Sequence, residues 1–319
     1  MRVRALTAAG LLIAGIANAA DNFPAKPVRM IVPAPPGGVT DALARLLAHA
    51  LAQALGQQVI VDNRGGGGTL IATQLVARAT GDGHTIFYCN SAFTTNPALV
   101  KDLPYDTLND FAPLSQYVDS PLVLVAHPSL NVGTLKELLA AAKARPGAIN
   151  YATSTPGTGG HLAVELLKVT TGIDITQISY KGAAPAMNDL LAGQVQLMFT
   201  SPLSTLPHVR SGRLRALAMS GLERLRVAPD IPTIDELGYK GFRATLWYGL
   251  LAPAATPAAI TSRLTAEISR FTRAPATVEQ LTAQGVTPIG SSAEEFGAFI
   301  RADIEKWRRV VREAGISVR

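Results

Sequence analysis

Apolar positions in this chain follow two alternating rhythms. Short β-branched runs stand at 28–32 (VRMIV), 58–62 (QVIVD) and 84–89 (HTIFYC). The first two are followed by helix-period segments at 41–55 and 69–79, the third by a loop rich in Ser, Asn and Pro. The rhythm resumes with runs at 122–127 (LVLVAH), 149–153 (INYAT), 175–179 (ITQIS), 195–199 (VQLMF) and 214–219 (LRALAM), with helical spacing at 134–144, 160–171 and 185–192. Strands alternating with helices predict parallel sheet built from βαβ units. In 41–55, Leu43, Leu46, Leu47, Leu51 and Leu55 form one stripe and Gly56 is the C-terminal stop. The pairs Thr233/Glu236 and Ser292/Glu295 read as capping boxes, and Thr256-Pro257 as a cap followed by proline at the first helical position. From Ser292 to Ala314, Phe296, Phe299, Ile300, Ile304, Trp307 and Val311 recur at helical spacing, a core-facing stripe rather than an aromatic ligand box.

Composition narrows the class. Arg2 and Arg4, the apolar Ala5–Ala17 and the Ala17-Asn18-Ala19 site form an export leader over 1–19. No later apolar run is long enough to cross a bilayer. About 300 mature residues exceed one ordinary core, so two lobes are expected, and 48% hydrophobic against 16% charged residues supplies the material to bury them. The formal charge of +6 falls to +4 without Arg2 and Arg4 and has no basic cluster, which argues against nucleic acid. Cys89 is the only cysteine, so neither an internal disulfide nor a Cys-based zinc site can form, and its apolar flanks predict burial.

A strand that runs into a Pro/Gly-rich loop and a helix start occurs twice, at 28–41 and 149–162. A helix start leaves backbone N–H groups unpaired beside a positive partial charge, which makes an anion site. In the first loop the useful amides are those of Gly37, Gly38 and Val39, behind a bend fixed by prolines 33, 35 and 36, with Thr40 or Asp41 as cap. The second adds the hydroxyls of Thr153, Ser154, Thr155 and Thr158, donors that bring no charge. A phosphate loop would need Lys before Ser/Thr, where this chain has Gly-Gly-Val-Thr-Asp, and neither the glycine run 65–68 nor 157–160 has dinucleotide spacing. His161 and Glu165 are too few for a metal site, with His49, His84, His127 and His208 in unrelated segments, so His161 is expected to bond its own loop. Ser201 has no visible base and no nucleophile elbow occurs. No metal and no cofactor are expected.

These residues resemble the Bug proteins, the solute-binding receptors of tripartite tricarboxylate transporters. The resemblance rests on Pro36-Gly37-Gly38 with Asp41, Asp62-Asn63-Arg64-Gly65-Gly66-Gly67-Gly68, Gly157-Thr158-Gly159 with His161-Leu162 and Glu165, and Tyr180-Lys181-Gly182 with Leu190-Leu191-Ala192-Gly193-Gln194-Val195. Pro232-Thr233, Glu236, Gly238, Trp247, Gly249 and Pro253 extend it along the mature chain. Asp62 stands for the usual Glu, Gly65 for a proline and Gln196 for a common Asp. It implies an α/β, two-lobed periplasmic-binding-protein fold of the Venus-flytrap, type II-like kind, with a cleft between two mixed-sheet domains. Lobe 1 would comprise 20–122 plus 246–319 and lobe 2 123–245. It further implies a small carboxylate held by Ser91, Gly159, Lys181, Gly182 and Ser201 together with both loops, and delivery to membrane permease subunits or to a sensor receptor. The protein would be a periplasmic monomer. Because Thr200-Ser201 stand where members often place an acidic or amide contact, the resemblance tilts toward an acid without an amine. An exported enzyme acting on a carboxylate, and a co-receptor for signalling without transport, are the alternatives.

Overall fold

The computed structural model describes residues 23–153 and 157–316. The leader 1–19, Ser154 and Thr155 therefore lie outside the described residues. The first sheet opens with β1 (Val28–Val32), β2 (Val59–Asn63) and β3 (Thr85–Asn90), with α1 (Val39–Leu55) and α2 (Leu70–Ala77) between them. After β3 comes a helix, α3 (Ala92–Leu99), then β4 (Phe111–Ser120). The second sheet holds β5 (Val123–Ala126), β6 (Asn150–Thr153), β7 (Thr176–Ser179), β8 (Leu197–Thr200) and β9 (Arg215–Met219). Its helices are α4 (Leu135–Ala144), α5 (Gly159–Thr171), α6 (Ala183–Leu191) and α7 (Pro202–Arg210). The chain returns to the first sheet with β10 (Leu246–Pro253), α8 (Ala258–Arg273), α9 (Pro275–Ala283), β11 (Thr287–Pro288) and α10 (Ala293–Glu313).

The strand orders are β11-β4-β10-β3-β1-β2 and β7-β6-β8-β5-β9. The βαβ rhythm gives the parallel pairs β1 with β2 and β3, and β6 with β7 and β8. The strands next to the two crossings run antiparallel, β10 against β3 and β4, and β5 against β8 and β9. Both sheets are thus mixed, and the fold is two-lobed α/β.

Local chemistry explains the elements. α1 buries Leu43, Leu47, Leu51 and Leu55 and ends at Gly56 in the left-handed region. Both Ser292/Glu295 and Thr233/Glu236 bond reciprocally, the second around a turn rather than a helix. α8 starts one residue later than the sequence suggests, because Pro257 keeps an extended ψ of 141° and acts as the cap itself. Segment 92–99 is helix and not loop: Asn90 Oδ1 accepts from the Ala92 amide, and Pro97 is accommodated in its last turn.

The crossings are held by buried polar groups. Asp119, at the end of β4, accepts from Thr245 Oγ1 at 2.5 Å and pairs with Arg243 at 3.1 Å. Asp303 of α10 accepts from Thr94 Oγ1 at 2.6 Å and Trp247 Nε1 at 3.2 Å, and pairs with Lys306 at 2.5 Å. One acid therefore ties α3, β10 and α10 together. α10 also serves both cores: Phe296, Ile300 and Ile304 pack under the first sheet, while Trp307, Val310 and Val311 join the apolar cluster of the second.

Candidate functional site

A cleft of about 1200 Å³ is lined by residues of both sheets. On the side of the first sheet its wall is the 3₁₀ turn Gly67–Thr69, Asn90, and the start of α3 at Ser91 and Ala92. On the other side stand Thr153, the start of α5 from Gly157 to His161, Ala183 at the start of α6, and Thr200 and Ser201 ahead of α7. Leu122, Thr245 and Leu246, where the chain passes between the sheets, also line it, as do Trp307 of α10 and Ala314, Gly315 and Ile316 just after that helix. With the start of α2 at Thr69 and Leu70, five helix starts among the described residues border one cavity. Among the described residues, and apart from tyrosines, its titratable lining consists of His161, Glu165 and Lys168. Glu165 accepts from Lys168 Nζ at 3.0 Å and from Tyr151 Oη at 2.5 Å, so its acid is already engaged.

The second loop is built for close approach. Gly157 has φ +82°, which favours glycine, and its amide donates to His161 Nδ1 at 3.0 Å. His161 accordingly bonds its own loop. Its ring is buried, which pulls its pKa below the ordinary histidine value, with Glu165 opposing and Lys168 assisting. A Cβ on Gly160 would lie 2.8 Å from the Phe199 carbonyl oxygen, and one on Gly159 2.4 Å from Leu246 Cδ2. At Gly160 the β8 backbone leaves no room for a side chain, whereas at Gly159 the Leu246 side chain would have to shift. Thr158 caps α5, and the buried Thr153 hydroxyl accepts from Gln177 Nε2 at 3.0 Å.

The first loop is placed otherwise. Gly37, with φ +88°, donates its amide to Asp41 Oδ2 at 2.9 Å instead of leaving it open to a ligand. Asp41 is itself buried and accepts from Arg45 Nε and Asn63 Nδ2, each at 2.9 Å. The Arg45 hydrogen bond leads the interactions that hold its carboxyl at about 2, against the opposing effect of burial. Pro36, Gly37 and Gly38 are exposed and, like Thr40 and Asp41, are not part of the cleft wall. Thr40 Oγ1 lies 3.4 Å from the hydroxyl of Tyr248, which does line the cleft, so this loop stands at its edge. Lys181 is exposed and Gly182 caps α6; neither lines the cavity. Ser91 and Ser201 line it as helix caps.

Sequence reasoning passed over Gly67–Thr69, Asn96 and Gly160. Asn96 Nδ2 donates to Gly68 O at 3.0 Å and Thr69 Oγ1 at 3.1 Å, fastening the 3₁₀ turn to α3. The glycine run 65–68 was the available signal, but it carries no direction. Chemically, a cleft bordered by helix starts and hydroxyls, with its acid and lysine paired to each other, suits an anion bound through neutral donors.

The chain is 41% identical over 322 residues to Protein BugT of Bordetella pertussis, covering 99% of each chain. It superposes on the Rhodopseudomonas palustris protein Rpa4515, solved with adipate, with TM-score 0.77 and 33% identity over 93% of this chain and 100% of that one. MatC (Rpa3494) of Rhodopseudomonas palustris, solved with bound malate, gives TM-score 0.72 and 30% identity over 91% and 100%. The family model described as tripartite tricarboxylate transporter family receptor matches residues 43–316. With the two mixed sheets and the cleft between them, this chain belongs to the tripartite tricarboxylate transporter receptor family.

Proposed function

We propose that this protein captures a small carboxylate without an amine in the cleft and delivers it to the membrane permease subunits of a tripartite tricarboxylate transporter, without catalysing a reaction. It acts as a periplasmic monomer whose lobes are 20–122 plus 246–319 and 123–245. The observation that carries the reading is the convergence of five helix starts on a cleft whose glutamate already has its cation. The amides at the α3 and α5 starts and the hydroxyls of Ser91, Thr153, Thr158 and Ser201 hold the carboxylate. The Pro36–Asp41 turn and Lys181-Gly182 act at the mouth. Relatives solved with adipate and malate supply the first acids to try.

A thermal-shift panel of organic acids tests this. An acid at a hundred times its dissociation constant stabilises the folded chain by about 2.7 kcal/mol. Its amide or ester keeps the shape and loses the charge that helix starts favour, so it should shift the melting point little. Neutral analogues that stabilise as well as the acids would overturn the carboxylate reading.

A further inference from the structure

The Gly157 amide donates to the ring of His161, four residues on and at the third position of α5. In the first loop the Gly37 amide donates to Asp41, likewise four residues on and at the third position of α1. The two turns therefore share one latch with different acceptors. A carboxylate held at about 2 stays an acceptor throughout the mildly acidic and neutral range. An imidazole does not: Nδ1 accepts only while it carries no proton, which leaves the proton of the neutral ring on Nε2.

We propose that His161 is a positioning residue for the carboxylate site, and that protonating its Nδ1 unlatches the Gly157–Gly159 loop and makes capture fail selectively on the acid side. This rests on the carboxylate reading only for what the loop binds; the latch itself is independent of it. Once Nδ1 carries a proton, two N–H groups face each other across 3.0 Å and the bond to Gly157 is lost. On the opposite edge, Nε2 lies 4.0 Å from Glu165 Oε1, which gives the charged ring an anchor away from the loop. The charged groups acting on the ring are Glu165 and Lys168, from its own helix. β6 adds Tyr151, bonded to Glu165. α3 and β10 present apolar Leu99 and Leu246 to Gly157 and Gly159. Burial keeps the ring neutral at pH 7.5, so the latch is closed there.

The test is made on the whole protein without ligand, by nitrogen-15 NMR of labelled histidine and glycine, and repeated with malate and adipate as probes. The expected result is an Nε2–H tautomer at pH 7.5 and a Gly157 amide that moves with the His161 titration at one common midpoint. His161→Asn puts an oxygen that cannot titrate near the Nδ1 position. The affinity of each protein for the probe at pH 7.5 serves as its own reference. Between pH 7.5 and 5 the natural protein should lose at least fivefold more affinity than His161→Asn. Because both proteins meet the same acid in the same ionic state, titration of the probe cancels in this comparison. An Nδ1–H tautomer, a Gly157 amide that ignores the titration, or parallel pH profiles would overturn the proposal. If neither probe nor any other acid binds, the carboxylate reading fails, and the tautomer and the Gly157 response still decide the latch.

Discussion

The turns before α1 and α5 use one backbone plan in two surroundings. Each has a glycine at positive φ, an extended cap residue, and a side chain at the third helical position that accepts the glycine amide. Around Gly37 and Gly38 nothing lies within 4 Å of where a Cβ would stand, whereas Gly159 and Gly160 abut Leu246 and Phe199. The open turn is fixed by charge, through Asp41, Arg45 and Asn63. The packed turn is fixed by contact and a neutral bond. Where packing is absent, an ionised acceptor holds the turn; where packing is tight, a neutral one does.

The sharpest way to break this contrast is by size. Gly160→Ala puts a methyl against a backbone oxygen and should cost about 1–3 kcal/mol in urea denaturation. Gly38→Ala, at φ −88° in open space, should stay within about 0.5 kcal/mol. Equal costs would mean that the two turns are packed alike.

Charge gives the next largest difference. Asp41→Asn keeps a single acceptor oxygen, so a donor faces either Asn63 or the Arg45–Gly37 side, and it should cost about 1–2 kcal/mol at pH 7.5, whereas His161→Asn there should cost less than about 1 kcal/mol. A cost for His161→Asn as large as that for Asp41→Asn would contradict the assignment of ionic and neutral latches.

The pH dependence of stability separates the latches by window. The Asp41 carboxyl is lowered from 3.8 to about 2, so its contribution is present above 3.8 and lost as pH falls through about 2. His161 is lowered from 6.5, so the unfolded chain takes up its proton first and the native protein weakens as pH falls below 6.5. Denaturation midpoints of the natural protein and the two Asn variants should diverge in those separate ranges. The smallest effect is on binding: Ser201→Ala, at the cleft wall, should weaken the tightest acid of the panel by about 1 kcal/mol, roughly fivefold, and Thr40→Val, at the edge, by less than twofold. Calorimetry showing the reverse order would move the site toward the first loop.

Much of this was legible in the sequence. The leucine stripe of α1, the apolar stripe of α10 and the β-branched runs of β1–β3 and β6–β9 announce themselves by period. β10 does not, because a central strand buried on both faces shows no alternation. β4 is disguised by Pro113, tolerated where β11 no longer pairs with it. Ser, Asn and Pro at 91–97 read as loop, yet Ser91 and Ala92 begin a helix that faces the cleft. The strand–loop–helix duplication is present before α1 and α5, but only the second of its turns lines the cleft. It could not show that Asp41 takes up the Gly37 amide, since the acid's partners Arg45 and Asn63 come together only when β2 lies beside β1.

The position of β10 has a consequence for how the protein is made. β3 and β4 are neighbours in sequence, but β10 lies between them, paired with both. During synthesis the second sheet has all five of its strands by residue 219, while the first keeps a gap until Leu246–Pro253 arrives. Thr94, Trp247, Asp303 and Lys306 then meet only once α10 is in place. The part of the chain that emerges first is therefore completed last, and the binding cleft comes into being only with the C-terminal helix.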